Sequence, residues 1–99
     1  MTRRIVLSDE ADRDVEAIWD YTADQWPVDQ AESYVSGLDR VLRLLAEQPH
    51  IARERPEIRQ GARLHPYRKH LIMFVETAET LTVFRVIHAQ ANWQSLLGD

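Results

Sequence analysis

The sequence contains no cysteine. Disulfides, thiolate metal sites and a cysteine nucleophile are thereby excluded, and a reducing cytoplasm is the compartment this composition fits. Glycine is scarce. The three glycines, Gly37, Gly61 and Gly98, stand far apart, so no loop can cradle a phosphate, and nucleotide or dinucleotide chemistry is disfavoured. Long apolar runs are missing too. Nothing approaches the roughly 20 residues a bilayer-spanning helix needs, and Ile5, Val6 and Leu7 are too short a run for a signal peptide. Ser8, Ser33, Ser36 and Ser95 lie outside any Gly-x-Ser-x-Gly setting, which removes the nucleophile-elbow reading.

What is present describes a folded domain. A chain of 99 residues, 44% hydrophobic, is expected to form one domain, 1–99, with one modest core. Twelve basic and 16 acidic residues give a net charge of −4, so a generic nucleic-acid binder is disfavoured and direct DNA binding is not expected. The charge is uneven. Residues 8–32 hold nine acids and one base, Arg13, whereas residues 53–69 hold six bases and two acids. Two solvated faces would explain this, as would a cationic surface turned toward an anionic partner.

The apolar pattern predicts the elements. Arg4–Leu7 reads as a strand ended by Ser8, which caps a helix whose stripe is Ala11, Val15, Ile18, Trp19, Thr22 and Trp26. Pro27 stops it, since the residue before proline avoids the helical region. Asp29 is expected to cap a second helix, with Ala31, Tyr34, Val35, Leu38, Val41, Leu42 and Leu45 on one side and Pro49 at its end. The short connection predicts an antiparallel hairpin, and Gly37 suggests a close helix–helix crossing. Residues 50–61 read as a polar loop. Three strands follow: Ala62–Tyr67, broken by Pro66, then 69–76 and 81–88. In the last, Leu81, Val83, Arg85 and Ile87 share one face against Thr82, Phe84, Val86 and His88. Residues 92–97 predict a short C-terminal helix. The class is α+β, in the order β-α-α-β-β-β, with a helical hairpin packed on a mostly antiparallel sheet.

Catalytic signals are few. The four histidines His50, His65, His70 and His88 form no i, i+4 pair. His65 and His70 can approach across strands, but further ligands are not evident, so neither metal nor cofactor is expected. Asp9, Glu10, Asp12 and Asp14 read as a solvated helix face rather than a carboxylate dyad. General acid–base cleavage of RNA would draw on Arg63, Arg68, Lys69, Arg85 and His88. Arg85 is the most unusual of these, because an arginine in an apolar strand must reach a carboxylate, a carbonyl or solvent. His88 ends that strand, where a capping role competes with proton transfer. Trp19 and Tyr34 read as core, while Tyr21 and Trp26, nearer the stripe's edge, mark an interface if exposed. Trp93, Leu96 and Leu97 either pack on the sheet or offer an apolar patch.

Several stretches together resemble the ParE branch of the RelE/ParE toxins. Leu7-Ser8, Ala11, Arg13-Asp14-Val15 and Ile18-Trp19-Asp20-Tyr21 resemble the family's opening. Gln30-Ala31-Glu32, Tyr34, Leu38, Leu44-Leu45-Ala46 and Pro49 resemble its second helix. Gly61-Ala62-Arg63, His70 to Phe74 and Val83 to His88 resemble its strands, and Asn92-Trp93 with Leu96-Leu97 its ending. Ala89, Asn92 and Pro27 depart from the pattern, where glycine, aspartate and glycine are common. The resemblance covers nearly the whole chain. It implies the toxin of a type II toxin–antitoxin pair, held by a ParD-like antitoxin and inhibiting DNA gyrase without catalysis. On this reading, antitoxin contacts are expected at Arg63, Arg68, Arg85, Tyr21 and Trp26, and target contacts at His88, Trp93, Leu96 and Leu97. The alternatives are a RelE-like ribosome-dependent RNase and a binding module without toxicity. RelE-like enzymes resemble this chain at Arg85 but usually carry a C-terminal tyrosine; here Ala89 follows His88, no tyrosine follows Tyr67, and no proton-transfer pair is predicted.

Overall fold

The computed structural model describes residues 2–91; the expected C-terminal helix, with Trp93, Leu96 and Leu97, lies outside the described residues. Strand β1, Arg4–Leu7, leads into helix α1, Asp9–Gln25. Ser8 is its cap: the hydroxyl accepts the Ala11 N–H at 3.0 Å and donates to the Phe84 carbonyl at 3.1 Å, so it starts the helix and ties it to the sheet. Asp9, Glu10 and Asp12 occupy the first turn, where the helix dipole favours acids. Trp26 is extended, φ −125° and ψ 157°, as a residue before proline should be.

Helix α2 runs Val28–Glu47. Its cap is Pro27, not Asp29: no side chain caps it, and the Pro27 carbonyl accepts the N–H groups of Gln30 and Ala31, each at 3.0 Å. Proline can stand here because the first helical N–H groups have no partner within the helix. Asp29 sits inside the first turn. After α2, a 3-10 turn, Pro49–Ile51, and a two-residue strand β2, Arg53–Glu54, occupy what reads in sequence as a loop. Neither is long enough to carry an apolar period.

Strands β3, Ala62–Tyr67, β4, His70–Glu76, and β5, Thr80–His88, complete a sheet of order β1-β5-β4-β3-β2. Pairing is antiparallel from β2 to β5, and β1 runs parallel to β5. Pro66 does not break β3. The β2 partner reaches only Arg63 and Leu64, and Pro66 pairs with Leu71 of β4 in unbroken register, so its missing N–H falls on an unpaired edge.

Both helices cover one face of this sheet. Ile18, Tyr34, Leu38, Leu42 and Leu45 meet Ile72, Phe74, Leu81, Val83 and Val86 there. On the other face Ala62, Met73, Phe84 and Ile87 pack with Ile58 and Leu64, and the Arg59 guanidinium lies 4.0 Å over the Phe84 ring. Gly37 answers a strand, not a helix. A β-carbon at that position would collide with the Tyr67 hydroxyl, which donates to the Tyr34 carbonyl at 2.6 Å.

Strand β5 departs from simple alternation. Met73 pairs with Arg85 but Phe74 with Val83, so Phe84 is one residue too many. This bulge inverts the faces beyond it. Val86 lies with the helices beside Val83, and Phe84 and Ile87 lie on the other face. The grouping of Ile87 with Val83 expected from the sequence holds only for an uninterrupted strand.

Candidate functional site: a groove between α1 and the ends of β4 and β5

Arg85 stands at the bulge, opposite Met73, and its guanidinium meets α1. Arg85 donates through Nε to Asp14 Oδ2 at 2.8 Å and through Nη2 to Oδ1 at 3.1 Å, while the Val86 N–H donates to Oδ2 at 2.9 Å. The two side chains are 15% and 16% exposed. The hydrogen bond to Asp14 holds the Arg85 pKa above its usual value. Asp14 is therefore not part of the solvated face with Asp9, Glu10 and Asp12. Its spacing carried the signal: Asp14 falls three residues after Ala11 and four before Ile18, on the buried stripe itself.

Arg63 is held as firmly. Its Nε donates to Glu76 at 3.0 Å and its Nη1 to the Ala52 carbonyl at 2.9 Å, with Glu54 at 3.4 Å. Arg3 grips the other oxygen of Glu76 at 3.4 Å. Arg68 is different. It is exposed, takes a left-handed φ of 52° in the two-residue turn between β3 and β4, and spreads its guanidinium toward the Tyr34 and Tyr67 rings at 5.9 and 5.8 Å.

Beside this turn lies a groove of about 550 Å³, lined by Ile18, Tyr21, Trp26 and Val86 and, from the sheet, by Lys69, His70 and His88. Tyr21 is 64% exposed. Trp26 is half-buried and meets Tyr34 edge-on, with ring centroids 5.5 Å apart. Trp19 is not core: it is 38% exposed, because it follows Ile18 directly and points off the buried stripe.

Ring contacts continue across the groove wall, from Tyr34 to Tyr67 at 5.1 Å, Tyr34 to His70 at 5.7 Å, and His70 to His88 at 5.4 Å. The register decides which histidines meet. His65 pairs with Ile72, whereas His70 stands opposite His88. His70 Nδ1 lies 2.6 Å from Tyr34 Oη. This is a hydrogen-bonded phenol–imidazole couple, which the sequence reading did not anticipate; the partners are 36 residues apart, and no local spacing announces them. Burial raises the Tyr34 pKa. Burial first, and then the neighbouring His88, lower that of His70. Both groups are thus neutral at pH 7. Among the described residues no group of three or more histidines and acids is placed to hold a metal, and no helix is long and apolar enough to cross a membrane.

Two helices on one face of a five-stranded mixed sheet are also the architecture of a chain in the solved "Chromosomal ParDE TA system from P. aeruginosa". The two chains superpose with a TM-score of 0.74 at 15% identity, covering 90% of this chain and 98% of that one. The family model of the ParE toxin of type II toxin-antitoxin system, parDE, matches residues 5–93. Toxin ParE1 of Mycobacterium tuberculosis is 40% identical over 93 residues, covering 93% of this chain and 95% of that one. Toxin ParE1 of Caulobacter vibrioides is 29% identical over 92 residues, with the same coverage. This chain belongs to the ParE toxin family of type II toxin–antitoxin systems.

Proposed function

We propose that this toxin works by docking rather than by turnover, with DNA gyrase as its target and a ParD-like antitoxin as its restraint. The observation that carries this reading is the position of Arg85. Arg85, the residue at which RelE-like nucleases resemble this chain, has its charge paired with Asp14 through Nε and Nη2, so it meets a phosphate only against a carboxylate already in place. In this reading the antitoxin lays apolar side chains along the groove, against Tyr21 and Trp26. It turns a carboxylate to Arg68, since Arg63 and Arg85 already hold Glu76 and Asp14. His88 at the end of β5, with Trp93, Leu96 and Leu97, meets the target.

RNA cleavage is the second reading, and the Tyr34–His70 couple favours it, because a hydrogen-bonded phenol and imidazole can pass a proton. Purified toxin separates the two. The docking reading expects loss of gyrase supercoiling with messages left intact on ribosomes. Cleaved messages and untouched supercoiling, with cleavage abolished by Tyr34→Phe, contradict it.

A further inference from the structure

On the sheet side, the polar side chains of the groove are Lys69, His70 and His88. Tyr34 Oη lies 2.6 Å from His70 Nδ1. A phenol O–H is a stronger acid than a neutral imidazole N–H, so the phenol directs its proton to Nδ1, and neutral His70 then carries its own proton on Nε2. His88 Nδ1 accepts the Gln90 N–H at 3.1 Å, which leaves Nε2 as the N–H of that ring. Two Nε2–H donors and the Lys69 ammonium thus line one side of the groove. Those tautomers also disfavour a metal, which would need an unprotonated Nε2. Asp14 lines the groove as well, but Arg85 and the Val86 N–H occupy both of its oxygens.

We propose that Lys69, His70 and His88 form a carboxylate-accepting subsite in the wall of the groove, which takes an acidic side chain of the antitoxin segment lying along it. The proposal rests on the antitoxin reading above for its occupant; the subsite itself rests on the geometry. Charge complementarity selects the occupant: the Lys69 ammonium and two imidazole donors beside an apolar groove match an amphipathic segment that carries an acid. Because His88 is also the residue proposed to meet the target, a carboxylate seated there makes the two partners compete for one strand end.

Long-range ¹H–¹⁵N spectra of the whole chain at pH 7.5 test the subsite without the antitoxin. Both rings are expected as Nε2–H tautomers, and sodium acetate, at constant ionic strength against chloride, should shift His70 and His88 saturably. An Nδ1–H tautomer at either ring, or a response to inorganic phosphate with none to acetate, overturns the proposal. Calorimetry with the antitoxin tests the occupant. His88→Phe keeps the ring contact and removes the donor, and Lys69→Met removes the ammonium. Each should weaken binding about tenfold, as loss of one hydrogen bond to a charged group does. Arg43→Gln, on a 72% exposed side chain paired with Asp39, makes the same charge change as Lys69→Met and should leave affinity unchanged. If the wild type binds and both groove variants bind equally well, the occupant is wrong and the proposal falls. If the wild type does not bind while the acetate shifts persist, the antitoxin reading fails and the subsite stands.

Discussion

Two sets of cations in this molecule share a chemistry and differ in circumstance. Arg85 and Arg63 project from strands, are mostly buried, and each grips a carboxylate of the same chain. Arg68 and Lys69 sit in an exposed two-residue turn, beside histidines that offer only donors. A cation buried in a sheet must be neutralised before the chain can fold. One at a turn is hydrated in the free protein and can wait for a partner. The first set is therefore built into the fold and the second is available for recognition.

The comparison breaks most directly at Asp14. Asp14→Ala leaves the Arg85 guanidinium and the Val86 N–H without an acceptor, and should cost roughly 3 kcal/mol, as breaking a buried pair does. Urea unfolding measures this, and the Asp14→Leu/Arg85→Met double variant should recover much of the loss. If Asp14→Ala unfolds at the wild-type midpoint, the clamp is not structural. A somewhat smaller effect is expected at Gly37. Gly37→Ala drives a methyl into the Tyr67 hydroxyl and should cost about 2 kcal/mol from overpacking. In a Tyr67→Phe background the clash disappears, so the two changes should be far from additive; simple additivity would show that the close approach does not set the cost.

At the turn the expected effects move from stability to binding. Arg68→Ala should change stability by less than about 0.5 kcal/mol, as exposed substitutions do, while weakening antitoxin affinity. An unfolding shift as large as that of Asp14→Ala would place Arg68 with the structural set. The smallest effect is pH dependence. His65 and His70 have pKa values lowered by burial, so the unfolded chain takes up their protons first. Their contribution is complete above the unfolded value, about 6.5, and is lost as pH falls through the lower folded values. Thermal melts should therefore drop between pH 7 and pH 5, less steeply in His65→Gln. Melts that rise in that interval would contradict the assignment.

The parts of this fold that the sequence announced are those with a sustained period. The stripes of α1 and α2, the stop at Pro27 and the apolar strands β4 and β5 rest on many residues each, and the pattern survives one exception. The missed features turn on single residues or distant pairs. One extra residue at Phe84 inverts half of β5, yet composition does not distinguish a bulge from a regular strand. The Pro27 cap uses a backbone carbonyl, which any residue possesses. Strand β2 is two residues long. For the site, Tyr21 at the edge of its stripe was legible as an exposed aromatic. Asp14 was legible from its spacing but was grouped with the acids around it. The Tyr34–His70 and His70–His88 contacts follow from the register of β4 against β3 and β5, which no local spacing encodes.

The most direct test of the division between structural and recognition cations is one calorimetric comparison of antitoxin binding by two double variants. Arg68→Ala/Lys69→Met should bind about a hundredfold more weakly than wild type, the loss of two charged hydrogen bonds. Asp14→Leu/Arg85→Met should bind within about threefold of it, a difference under 1 kcal/mol. If the clamp variant loses binding and the turn variant keeps it, Arg85 is the antitoxin's anchor and the account is wrong.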